Sequence, residues 1–230
     1  MKNFSFVLLS TCLSLLCLPA SAADSVSLQD SAVKVAEESI IEKNKDVLEK
    51  AEKSLNDIQA IDADFIQTSS NTDKLFFGHL KLLRPNKMLL TYEDAEMPRI
   101  IADGYSVIYV EDFLEQVTYL GLEDTPAFFL IQNTTSFSDN RIKVLTLEEN
   151  DHQVRITVAL ADDALAGKMT LVFSKPDYQL TGWEITDAKR VKTVISLQNI
   201  RMNPTLDKKQ FEFVNPYTDK KKKYPFLRNS

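Results

Sequence analysis

His79 and His152 are the only histidines in the 230-residue chain, and Cys12 and Cys17 the only cysteines. No HExxH pair and no acidic cluster at metal-ligand spacing accompanies the histidines. His79 alternates with Leu80 inside a strand-like run, which gives it neither a metal nor an acid–base role. The chain contains no GxSxG elbow, no P-loop and no GxGxxG turn. Paired carboxylates do occur, at Glu148-Glu149 and Asp162-Asp163. Both pairs fall in turn-like joints, where solvated charge is the ordinary reading. Asn133-Thr134-Thr135 fits a glycosylation sequon, a three-residue match common by chance. The inventory points away from an enzyme and implies no cofactor.

Charge and thiol placement exclude more. There are 27 Lys and Arg against 33 Asp and Glu, a formal charge of −6, and 44% of residues are hydrophobic. That much apolar material excludes wholesale disorder. An acidic chain is also a poor match for nucleic acid, since neutralising phosphates takes a basic surface. The first 22 residues read as a cleaved secretory leader: Lys2, an apolar run from Phe4 to Leu18, Pro19, then small-x-small at Ala20-Ser21-Ala22. The run is shorter than the ~20 residues of a spanning helix. Neither cysteine stands where a lipid anchor would be attached. Cleavage after Ala22 would leave 208 residues with charge −7 and no cysteine. A cysteine nucleophile, a Cys-zinc site and a disulfide framework are then all excluded, and stability must come from a core.

The elements that would build that core follow from periodicity. Residues 23–59 read as helix, with Leu48, Ala51, Leu55 and Ile58 on one stripe. From Ile61 the period changes to two: Ile61, Ala63 and Phe65 alternate with Asp62, Asp64 and, further on, Gln67. The expected strands continue through Leu75–Arg84, with Gly78, Leu80, Leu82 and Arg84 on one face, and through Met88, Leu90 and Tyr92. Arg99–Ala102 and Ser106–Val110 flank the hairpin signal Asp103-Gly104, and Glu115–Leu120 follows. Thr125-Pro126 then opens a short helical turn, Ala127-Phe128-Phe129-Leu130-Ile131, apolar nearly all round. Further strands are expected at Arg141–Leu147, Gln153–Leu160, Lys168–Ser174, Leu180–Asp187 and Val191–Arg201, with a last one near Phe211–Val214.

Ten or eleven short-looped strands in succession imply a mainly β, antiparallel domain. Only five glycines in the chain favour one large curved sheet with long strands over a tight sandwich. One helix and one apolar turn cover part of such a sheet. The sheet therefore either closes around its own side chains or leaves a concave apolar surface that needs a ligand. The residues alone suggest a secreted carrier of something hydrophobic.

Leu80-Lys81-Leu82-Leu83-Arg84-Pro85-Asn86 resembles the L-x-x-x-R-P-N core of the periplasmic outer-membrane lipoprotein carrier family, LolA. Ile100-Ile101-Ala102-Asp103-Gly104, Asp112-Phe113-Leu114-Glu115-Gln116-Val117-Thr118 and Thr125-Pro126 match further family segments in order and spacing. Leu180-Thr181-Gly182-Trp183-Glu184-Ile185-Thr186-Asp187 and the ending around Phe211-Glu212-Phe213 do so as well. The likeness covers about residues 44–214. It implies an incomplete antiparallel β-barrel over a hydrophobic cavity, closed by a helical lid. It also implies acylated lipoproteins as cargo, taken from an inner-membrane lipoprotein-releasing ABC transporter and delivered to an outer-membrane receptor where one exists. Transient membrane contact and a monomeric state go with that role.

Roles follow by position. Arg84 matches the family's motif arginine, which latches the lid through its backbone. Leu80, Leu82, Met88, Leu90 and Tyr92 would line the lipid cavity. Leu48, Leu55, Phe128, Phe129 and Leu130 would line the lid, although plain core residues would look the same in sequence. The chain departs from the family at Met88 and Leu90, where aromatics are usual. It also has an added segment at 23–43 and a basic tail with Lys220-Lys221-Lys222-Lys223. The expected organisation is a leader (1–22), a helical extension (23–43), the carrier domain (44–215) and the tail (216–230). Two rivals remain: a carrier of a glycolipid or phospholipid, and an envelope sensor of lipid or lipoprotein on the same fold.

Overall fold

The computed structural model describes residues 39–125, 128–161 and 167–218. The leader, most of the 23–43 extension, Pro126, Asp162-Asp163 and the lysine tail lie outside the described residues.

The helical stripe forms α1 (Lys45–Asp57), and Leu48, Ala51 and Leu55 are its buried positions. The helix is not continuous from 23 to 59 as the periodicity suggested. Residues 39–43 are helical but a turn intervenes at Asn44, whose Nδ2 and backbone N–H both donate to Ile40 O at 2.8 and 3.2 Å. A side chain that competes for the backbone in this way interrupts the helix. At the other end Ile58 is already extended (φ −76°, ψ 113°).

Eleven strands follow, in one antiparallel sheet. They are β1 (Ala60–Ser69), β2 (Thr72–Leu83), β3 (Lys87–Tyr92), β4 (Arg99–Asp103), β5 (Ser106–Glu111), β6 (Gln116–Gly121), β7 (Ile142–Glu149), β8 (Gln153–Leu160), β9 (Lys168–Ser174), β10 (Leu180–Thr186) and β11 (Lys192–Met202). The spatial order is β6-β5-β4-β3-β2-β1-β11-β10-β9-β8-β7. The chain therefore starts mid-sheet, zigzags to the β6 edge, crosses to the β7 edge and zigzags back until β11 pairs with β1. Edges β6 and β7 do not pair with each other, so the curved sheet stays an open barrel. The link between them carries a second helical piece, α2 (Phe128–Ile131), all four residues of which are buried.

The expected strand near Phe211–Val214 is absent. Lys208–Phe211 is a 3-10 turn instead, started by Asp207, whose side chain accepts from the Lys209 N–H. The alternating Phe211 and Phe213 imitate a strand, but both act as plugs. Phe211 is fully buried, and Phe213 packs with Tyr217 on Ile101, Ile108 and Val110 of the outer face.

Inward residues of β1–β5 and β7–β11 join α1 and α2 in one core. One expectation about facing fails, and one about exposure. Gln67 shares the inner face with Ile61, Ala63 and Phe65, and is 8% exposed. Asp62 does point outward yet is only 4% exposed, because Arg201 and His79 close over it at 2.8 Å each. Burial alone would raise the Asp62 pKa. The hydrogen bond from Arg201 and the neighbouring His79 hold it below the usual aspartate value. His79 bridges Asp62 and Asp64, and no metal-ligand group of three exists among the described residues.

Candidate functional site

The loop between β2 and β3 sets the geometry. Arg84 follows the last residue of β2, on the side of the inward Leu80 and Leu82, and is 7% exposed. Its Nε donates to Leu130 O at 2.9 Å and one terminal nitrogen donates to Leu55 O at 2.7 Å. One guanidinium thus ties α1 and α2 to the sheet. The backbone on either side adds to the seam: Arg84 N–H donates to Gln59 O at 2.9 Å, and Asn86 N–H to Ile131 O at 2.7 Å.

The charge is held without a counter-ion. Among the described residues no carboxylate pairs with Arg84, and burial lowers its pKa to about 10. That is still far enough above neutrality to keep the cation. Its partners are carbonyls in the last turns of two helical pieces, where a cation is favoured. Such bonds are worth roughly 1.5–3 kcal/mol each when one partner is charged, and they can be exchanged one for another.

Further ties join α1 to the segment after α2. Asn56 Oδ1 accepts from Thr135 N–H and Asn56 Nδ2 donates to Thr135 O, both at 2.9 Å. Glu52 Oε2 accepts from Phe137 N–H at 2.9 Å, and Thr135 Oγ1 donates to Phe129 O at 3.1 Å. Nothing in the hydrophobic pattern marks Asn56, Glu52 or Thr135. They are polar residues flanking an apolar stripe, and only the tertiary pairing gives them a role. Replacing Asn56 by alanine is expected to speed hydrogen exchange of the Thr135 amide roughly tenfold, the loss of about one such interaction, with β8 amides unchanged. Unchanged Thr135 exchange would show that the tie contributes nothing.

Beneath α2 lies a cavity of about 270 Å³ lined by Met88, Leu90, Tyr92, Ile100, Val107 and Leu130, among others. Polar atoms are few. Tyr92 Oη donates to Gln67 Oε1 at 2.6 Å, and Phe65 and Phe76 meet the Tyr92 ring edge-on at 5.2 and 6.5 Å. Burial, and after it the nearby Tyr109, push the Tyr92 hydroxyl above the usual tyrosine range, and burial does the same for Tyr109. Both phenols stay neutral at physiological pH.

The expected site residues therefore divide. Met88, Leu90 and Tyr92 line the cavity, as does Leu130. Leu80 and Leu82 are sealed in the core, at 0% and 1% exposure, and are not among the lining residues. Leu48, Leu55, Phe128 and Phe129 are buried on the helical pieces above the sheet.

The model of the family described as "Outer membrane lipoprotein carrier protein LolA" matches residues 56–214. The chain belongs to this family. Curated members similar to it include the outer-membrane lipoprotein carrier protein of Idiomarina loihiensis, 26% identical over 81% of this chain and 86% of that one. The carrier of Helicobacter hepaticus is 25% identical over 69% of this chain and 80% of its own. Among solved structures, the LolA superfamily protein NE2245 from Nitrosomonas europaea aligns over 74% of this chain and 97% of that one, with 13% identity and a TM-score of 0.43. The family match begins at Asn56, so most of α1 precedes it.

Proposed function

We propose that this protein is a periplasmic carrier that takes the acyl chains of lipoproteins into the cavity beneath α2. It would collect them from an inner-membrane lipoprotein-releasing transporter and hand them to the outer membrane or a receptor there. One observation carries the reading: an apolar cavity lies beneath α2, and a single buried arginine fastens α2, and α1 beside it, through exchangeable carbonyl bonds. Arg84 is then the latch, and the apolar faces of α1 and α2 are the lid. Membership of the carrier family supports this assignment and a non-catalytic role.

Size makes the lid necessary. The cavity holds about 270 Å³, below the roughly 300–1,000 Å³ of pockets that take drug-sized ligands. Acyl chains of a lipoprotein need more room, so loading requires the lid to rise. Each methylene transferred from water contributes ~0.8 kcal/mol, a gross driving force large enough to offset broken latch bonds. Residues 1–22 act as leader in this scheme, 44–215 as the carrier and a monomer as the working unit.

The test is release. Purified protein added to spheroplasts is expected to bring a lipoprotein into the supernatant as a soluble one-to-one complex. Recovery of the protein without lipoprotein, or with a phospholipid or glycolipid as its sole bound lipid by mass spectrometry, would overturn the cargo assignment.

A further inference from the structure

The cavity is apolar, but it is not featureless. Gln67 is 8% exposed, stands on the inner face of β1 and lines the cavity. Its carboxamide oxygen accepts a hydrogen bond from the Tyr92 hydroxyl. Among the described residues its Nε2 has no hydrogen-bond partner, and neither has the Tyr109 hydroxyl. A carboxamide brings two N–H donors, so a ligand entering the cavity finds them available. An amide turned the other way would leave the Tyr92 O–H as the free donor. In either orientation the pair keeps a donor in the cavity, fixed by its own internal bond.

We propose that Gln67 and Tyr92 form a recognition site for the ester or amide carbonyls that join acyl chains to their head, and so set how deep the chains enter. This rests on the acyl-carrier reading given above. Three observations select that ligand chemistry. The free groups are neutral donors, which suit a neutral carbonyl oxygen. The lining contains no Lys, Arg or His, so a free fatty acid would bring in a carboxylate with no cation to meet it. The surrounding Met88, Leu90, Ile100 and Val107 offer chains nothing but contact, so position is left to the polar groups of the lining, among which Gln67 and Tyr92 are held by their own mutual bond. A site built to hydrogen-bond its ligand discriminates against an analogue that lacks the group, because its own polar atoms are then left unpaired.

The experiment compares two diacyl lipopeptides of equal chain length, one with ester-linked and one with ether-linked chains. Binding is read from the fluorescence of Trp183, the chain's single tryptophan, which lines the cavity. The native protein is expected to bind the ester form about tenfold more tightly. Gln67→Leu should abolish the preference, and Tyr92→Phe, which keeps the ring, should reduce it. Thermal melts of both variants establish folding, and the Tyr92→Phe measurement stands if Gln67→Leu fails to fold. Equal affinity of the native protein for the two lipopeptides, or an ester preference that survives in the folded variants, would overturn the recognition site and leave the carrier standing. Binding of neither lipopeptide would overturn both.

Discussion

Leucine in place of Arg84 is expected to produce a carrier that loads but does not deliver. In the closed state the guanidinium supplies Leu130 O and Leu55 O with their bonds at 2.9 and 2.7 Å. Without it Leu130 O is left buried beside an apolar side chain, at about 1–3 kcal/mol, while Leu55 O keeps only its bond from the Ile58 N–H at 3.2 Å. That cost falls on the empty, closed protein. In the mechanism proposed above, the loaded protein, with its lid raised, has already given these bonds up. Removing the arginine therefore raises the end state of delivery and leaves its starting state nearly unchanged. Transfer from a purified carrier–lipoprotein complex to outer-membrane vesicles is expected to slow by about 10- to 100-fold, equivalent to ~1.4–2.8 kcal/mol. The sheet does not depend on the latch, so cooperative unfolding should persist. Arg84→Lys should fall between the two, because an ammonium keeps the charge but lacks the planar fork that reaches both carbonyls. Delivery by Arg84→Leu at the native rate would remove the latch assignment.

The second large effect is expected at Gly78. It pairs with Tyr92 across β2 and β3, and a Cβ there would collide with Thr91 O and with the Phe65 ring. The missing side chain is what lets Phe65 lie across β2 and meet the Tyr92 edge at 5.2 Å. Valine at this position overpacks the site, typically a cost of 1–3 kcal/mol and occasionally more. At about 2–4 °C per kcal/mol for a domain of this size, the melting midpoint should fall by roughly 3–10 °C. Tyr92 must move away from Gln67, so acyl binding should fall with it. A Gly78→Val protein with native Tm and native binding would show that the packing there is not tight.

The strands were legible because a half-buried sheet writes its period into the chain. β8 and β9 coincide with the runs read from alternation, Gln153–Leu160 and Lys168–Ser174. Alternation fails where a residue's neighbours, and not its own polarity, decide its place. Gln67 reads as outward because it is polar, and its inward position follows from the period of two that it shares with Ile61, Ala63 and Phe65. Asp62 does face outward, but Arg201 and His79 bury it from other strands. Phe211 and Phe213 carry a strand-like spacing into a segment that forms a 3-10 turn and packs through its side chains. The site was legible in part for the same reason. Met88, Leu90 and Tyr92 share a strand and a face, whereas Leu80 and Leu82, also inward, lie where the core closes over them. The carbonyls that receive Arg84 could not be read at all. A backbone acceptor has no residue type, so no sequence pattern can point to Leu55 O or Leu130 O.

The order of the strands also bears on how the chain reaches this state. β1 pairs with β11, so that Ile61 meets Met202 and Ser69 meets Thr193. The first strand synthesised has one neighbour at once, in β2, and waits for the other until nearly the whole domain is present. Two meanders, β1–β6 and β7–β11, can form from local hairpins, but the seam between them is a long-range closure of the kind that slows folding. Until that seam closes, the inner faces of both halves and the roof above them lack a complete surface to pack on. On the export route proposed above, a chain passing outward from its N-terminus cannot lock before its last strand has crossed. Topology by itself delays the native fold until nearly the whole domain is present.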